Sequence, residues 1–144
     1  MKKSVIAIAT VALLITSAFG ATNECKQELK HLKRDFSNIT DKGAECLAES
    51  MAIAMNNSLA KQSSAELQMH FSYANKTIKM EMSTHNKEKK ITKEDQKMLL
   101  KQTCSNPLYK LFMQHGIKVN IEGKTAHQHF TLNITEKVCK KNHL

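Results

Sequence analysis

Four cysteines, Cys25, Cys46, Cys104 and Cys139, constrain this chain more than any other feature. What makes them binding is the segment ahead of them. Lys2 and Lys3 precede an apolar run over residues 5–15 that only Thr10 interrupts, and Ser17-Ala18-Phe19-Gly20 offers small residues where a signal peptidase reads. The run is shorter than the ~20 apolar residues a bilayer span needs, so residues 1–20 read as a signal peptide. The short Lys-Lys leader looks bacterial and predicts a periplasmic or secreted protein. Thr22-Asn23-Glu24 ahead of Cys25 is not the small-apolar box of a lipoprotein signal, so no lipid anchor is expected. An even number of cysteines in an oxidising compartment reads as two disulfides, and three pairings are open because spacing alone does not choose among them.

Residues 21–144 suffice for a single domain with one modest core, and no later stretch is apolar enough to span a membrane. Leu29, Leu32 and Phe36 recur at helical spacing over residues 25–36, which predicts a short amphipathic helix. After a polar break at residues 37–43, with Thr40 or Asp41 able to cap, Leu47, Met51, Ala54, Met55 and Leu59 mark one face of a helix over residues 42–61, ended by residues 62–64. The period then changes to two. Leu67, Met69, Phe71 and Tyr73 alternate with polar residues, and beyond Asn75-Lys76 the apolar parity moves to Ile78, Met80 and Met82. A two-residue turn at Asn75-Lys76 explains the switch and pairs Tyr73 with Ile78, Phe71 with Met80 and Met69 with Met82. Residues 83–90 carry no period and read as an exposed connection.

Thr92 followed by Glu94 and Asp95 predicts a capped helix start, continued by Met98, Leu99 and Cys104. Asn106-Pro107 starts another helix, with Leu108, Leu111 and Phe112 facing inward and Gly116 closing it. Ile117, Val119 and Ile121 alternate as one strand, residues 122–126 turn, and Phe130, Leu132 and Ile134 alternate as the next. This run resembles a module of small, mostly uncharacterised exported proteins of Gram-negative bacteria. Their pattern is a cysteine, an Asn-Pro helix start, a Leu-rich helix ending in glycine, two strands and a closing cysteine. The correspondence falls on Cys104, Asn106-Pro107, Leu111, Gly116, the two strands and Cys139. The resemblance implies a Cys104–Cys139 bond, hence Cys25 with Cys46, and it implies no catalytic residues. The expected fold is α+β: helices packed on one face of a small antiparallel sheet of about four strands, stapled by two disulfides.

The formal charge is +9, of which Lys2 and Lys3 contribute two. In an exported chain such a balance reads first as a solvated lysine-rich surface, and after that as weak attraction to anionic lipids, cell-wall polymers or an acidic partner rather than to nucleic acid, for which the aromatic platform is absent: there is no Trp and only two Tyr. The sequon matches at Asn38, Asn56, Asn75 and Asn133 matter only in a eukaryotic secretory pathway and read as chance in an Asn-rich bacterial chain.

His127-Gln128-His129 is the sharpest chemical signal. On a strand the two imidazoles would share the outward face, and with His70 as a third ligand they could hold copper, zinc or nickel. Solvated histidines explain the pair without a metal, since no Cys or carboxylate sits at ligand spacing. Met51 with Met55 and Met80 with Met82 invite Cu(I), but each falls on an apolar face where adaptable packing accounts for it. The carboxylate pairs Glu24/Glu28 and Glu45/Glu49 have the spacing surface helices produce routinely. There is no Gly-x-Ser-x-Gly elbow, His-Glu-x-x-His motif or glycine-rich phosphate loop, which argues against an enzyme. No cofactor is expected. The reading that results is a non-catalytic exported accessory or binding protein of the bacterial envelope, inhibitor- or immunity-like, whose partner is another envelope or secreted protein. The alternative is a periplasmic copper- or zinc-binding protein.

Overall fold

A computed structural model describes residues 22–60, 67–87 and 90–144. The expected leader and the expected helix end at residues 62–64 lie outside these. The described elements, in order, are α1 (Asn23–Lys30), α2 (Asp41–Ala60), β1 (Gln68–Ala74), β2 (Thr77–Ser83), α3 (Lys93–Ser105), α4 (Pro107–Gln114), β3 (Lys118–Lys124), β4 (His129–Ile134) and α5 (Glu136–Lys141). The class is α+β, with helices on one face of a four-stranded sheet of order β1-β2-β3-β4.

Local chemistry sets most of the boundaries. The Thr92 hydroxyl accepts from the Asp95 N–H while the Asp95 carboxylate accepts from the Thr92 N–H, a reciprocal capping box that starts α3. Asn106 ends α3 and caps α4, accepting from the Leu108 and Tyr109 N–H groups, with Pro107 at the first helical position. Gly116 follows α4 at φ +79°, the left-handed conformation that lets the chain leave the helix at once. The α1 helix stops at Lys30, earlier than its period suggests, because the Asn38 carboxamide folds residues 31–40 into a compact loop: it donates to the His31 carbonyl and accepts from the Lys33 N–H. Leu32 and Phe36 still pack inward from that loop.

The β1–β2 hairpin has the predicted register, with Tyr73 opposite Ile78, Phe71 opposite Met80 and Met69 opposite Met82. Its turn residues Asn75 and Lys76 both have positive φ, 52° and 55°, as a right-twisting two-residue hairpin requires. β3 and β4 also pair antiparallel. The central pair differs from the all-antiparallel expectation: β2 and β3 run parallel, with Thr77 beside Lys118 and Ser83 beside Lys124. The connection between them holds α3 and α4, long enough to carry the chain back across the apolar face and re-enter in the same direction.

Two clusters make the core. In one, α1 and α2 bring Cys25, Leu29, Ala44, Cys46, Leu47, Ala48 and Met51 against Phe112, Ile78 and Ile117. In the other, Cys104, Met113 and Cys139 lie on Val119, Ile121 and Ile134. The disulfides are Cys25–Cys46 and Cys104–Cys139, one in each cluster. α5, absent from the sequence reading, is short and starts on a Thr135 cap; it delivers Cys139 to α3. Cysteines, core clusters and every described element lie within residues 22–144.

One edge of the sheet is closed by a side chain. Phe71 sits midway along β1, and its N–H and carbonyl point away from β2. Asn56 on α2 takes both, accepting from the N–H at 2.7 Å and donating to the carbonyl.

Candidate functional site

Strand parity divides the sheet into two unlike faces. Phe71, Ile78, Val119, Ile121 and Ile134 point into the helical layer and are buried. The alternate residues point the other way, where none of the described helices packs. The parallel central pair brings them into register as cross-sheet rows: Ser72–Lys79–Asn120–Asn133, then His70–Glu81–Glu122–Thr131, then Gln68–Ser83–Lys124–His129. Every position in these rows is polar; six are exposed, six are half-buried and none is buried.

Lys79 organises the middle of this face. Its ammonium lies 3.1 Å from Glu81 Oε1 and 3.3 Å from Glu122 Oε2, so one cation compensates two carboxylates that would otherwise repel across adjacent strands. His70 Nδ1 lies 3.4 Å from the other Glu81 oxygen. Hydrogen bonding to Lys79 first, and the charges of Lys79 and His70 after it, hold the Glu81 carboxyl below its usual range. The Lys79 ammonium is in turn held above its own, chiefly by hydrogen bonds to Glu81 and Glu122. Asn120 donates to Asn133 beside it in the same row as Lys79. The result is a braced field of donors and acceptors that another surface can desolvate.

The histidines do not converge. His70 lies on β1 and His129 on β4, opposite edges of the sheet, separated by three strand spacings or about 14 Å. His127 is not on a strand, so the argument that places it on one face with His129 does not apply. β4 begins only at His129, and the Thr125 hydroxyl accepts from the His127 and Gln128 N–H groups, holding residues 125–128 as a turn. Among the described residues no group of three or more His, Cys, Asp or Glu side chains is placed to hold a metal ion. Met51 is buried, and Met55, Met80 and Met82 pack against the core clusters, which is the packing role their spacing suggested. The four cysteines are all consumed in the two bonds.

Of the carboxylate pairs, Glu45 has a specific partner. The Tyr73 hydroxyl donates to Glu45 Oε1 at 3.1 Å, and burial together with that bond raises the Tyr73 phenol above its ordinary value. A shallow crevice of about 190 Å³ lies between α1 and the loop after it, lined by Glu28, His31, Leu32, Asn38, Ile39, Thr40 and Gly43. Among the described residues no helix is long and apolar enough to cross a membrane.

Sequence reasoning missed the rows on the open face. Each polar residue in them was visible as the off-parity partner of an apolar one, but their alignment depends on β2 and β3 running parallel. No known protein family, curated protein or solved structure matches the chain.

Proposed function

We propose that this is an exported, disulfide-stapled binding protein that acts through protein–protein contact on the open face of its sheet. The observation that carries the reading is that face itself: three registered polar rows, braced by Lys79 and backed by a packed helical layer. A rigid surface loses little conformational entropy on binding, which favours recognition by a preformed face over capture in a cavity. Export is supported by the leader-like residues 1–20 and by the two disulfides, because such bonds are rare where thiols are kept reduced. The partner is then another envelope or secreted protein, with this chain as its accessory or inhibitor.

Site-specific photo-crosslinking in envelope extract tests the reading. A crosslinker at Thr131, exposed on the open face, is expected to trap one defined partner that a crosslinker at Gln114, exposed on the helical layer, does not. Charge reversal by Glu122→Lys is expected to remove that crosslink while both disulfides still form. Equal trapping from Thr131 and Gln114, or indifference to Glu122→Lys, would remove the sheet face from consideration.

A further inference from the structure

The positive charge is not spread evenly once it is placed on the fold. Residues 21–60, which build α1 and α2, carry six acidic and five basic side chains; residues 61–144 carry seven acidic and fifteen basic. Part of this excess lies on the helical layer, away from the open sheet face. Lys93, Lys97 and Lys101 follow one another every four residues along one flank of α3, and all are exposed. Cys104 continues the same flank at one turn beyond Lys101, and its bond to Cys139 holds α5 alongside. There Lys137, Lys140 and Lys141 are exposed as well. The disulfide thus joins two short lysine runs into one surface.

Few acids answer it. Lys140 pairs with Glu136 at 2.8 Å, Asp95 is committed to the Thr92 capping box, and Glu94, exposed in the first turn of α3, is the one acid left against the five remaining lysines. Lys93, Lys97, Lys101, Lys137 and Lys141 make no ion pair with any described residue. Beside Lys97 on the same helix stands Met98, 55% exposed and the most exposed of the large apolar side chains described.

We infer that the α3–α5 surface is a docking face for an anionic bilayer. Charge complementarity sets the sign of the partner: exposed ammonium groups without an ion pair among the described residues attract phosphate headgroups and lose little by remaining hydrated. An acidic protein would be matched better by a concave or forked site. The lysine-rich surface, with Glu94 as its one exposed acid outside the capping box and the Lys140–Glu136 pair, presents point charges that a mobile sheet of headgroups can meet without shape matching. Met98 adds the second element of interfacial binding, an exposed apolar side chain one helical turn from Lys101 that can enter the headgroup boundary. The surface lies on the helical side of the sheet, so a protein seated this way keeps its open sheet face turned from the membrane. The inference does not rest on the function proposed for that face.

Flotation of the oxidised chain from residue 21 onward, with vesicles of equimolar phosphatidylglycerol and phosphatidylcholine, provides the test, because that chain contains every described element. Binding is expected to the mixed vesicles and not to pure phosphatidylcholine. Lys97→Gln with Lys101→Gln is expected to weaken partition roughly 30-fold. Lys118→Gln with Lys124→Gln removes the same charge from the sheet side and is expected to weaken it by no more than about threefold. Met98→Ser, which changes no charge, is expected to weaken it further. Equal losses from the two double variants would reduce the effect to net charge and overturn the assignment. So would binding to soluble poly-glutamate as tight as to vesicles with Met98→Ser silent, which would mark an acidic protein as the partner.

Discussion

Around Cys25–Cys46 the core is mainly helix on helix, with Ile78 as its one fully buried strand residue; around Cys104–Cys139 it is helix on sheet. The first bond closes 21 residues between sequential helices, where Ala44 and Ala48 let α1 approach α2 closely. The second closes 35 and ties the end of the chain to α3 over β3 and β4. The first cluster borders a nearly neutral segment, and the second carries the lysine surface. The same covalent chemistry therefore does two kinds of work. One bond fixes the angle between helices that already pack; the other assembles a surface whose two halves are distant in sequence.

Breaking the bonds one at a time should separate these roles. In the chain-entropy account Cys104→Ser with Cys139→Ser removes about 4 kcal/mol and Cys25→Ser with Cys46→Ser about 3, read from urea unfolding midpoints. The sharper contrast is qualitative: only loss of Cys104–Cys139 should release the C-terminal residues to rapid amide exchange, because α5 has little else to hold it. If both variants leave α5 equally protected, the two clusters do not differ as argued.

A smaller effect is expected at the join between helix and sheet. Asn56→Ala leaves the Phe71 N–H and carbonyl unpaired beneath α2 and should cost about 2 kcal/mol, with β1 exchanging faster than β4. Asn56→Asp keeps the acceptor and loses the donor, and is expected to fall between the two.

The smallest effect is confined to alkaline pH. Folding raises the Tyr73 phenol, through burial and then through its bond to Glu45, so the native state keeps a proton that the unfolded chain gives up near pH 10. Its contribution is full below that pH and declines as pH rises through the native value. Tyr73→Phe should therefore unfold with a flatter dependence above pH 10 and an unchanged one between pH 6 and 9. Tyr109, raised by burial alone, and Lys79, raised chiefly by its hydrogen bonds to Glu81 and Glu122, remain to supply what slope is left.

What could be read from the chain was what neighbouring residues decide among themselves. The Asn75-Lys76 turn followed from a parity switch, and the Thr92 and Asn106 caps from hydroxyl and carboxamide groups within three residues of the N–H groups they take. The direction of β3 beside β2 is another matter, since it depends on how α3 and α4 cross the apolar face. The Asn56 contact was invisible because its partner is backbone fifteen residues away. His127 was misplaced onto a strand because Thr125 makes its turn through a side-chain oxygen that no alternation pattern records. The lysine run on α3 went unread because the positive charge looks spread along the chain, and its continuation onto α5 depends on Cys104 being joined to Cys139.

The Asn56 clamp also bears on how many copies can associate. A sheet with two free edges can add strands at both and grow without end. Here the middle of β1 is already occupied, which leaves β4 as the edge where a foreign strand can align. A second copy pairing there would itself be blocked on its far side. Such a pair would be closed by its own twofold symmetry, and growth would terminate at two.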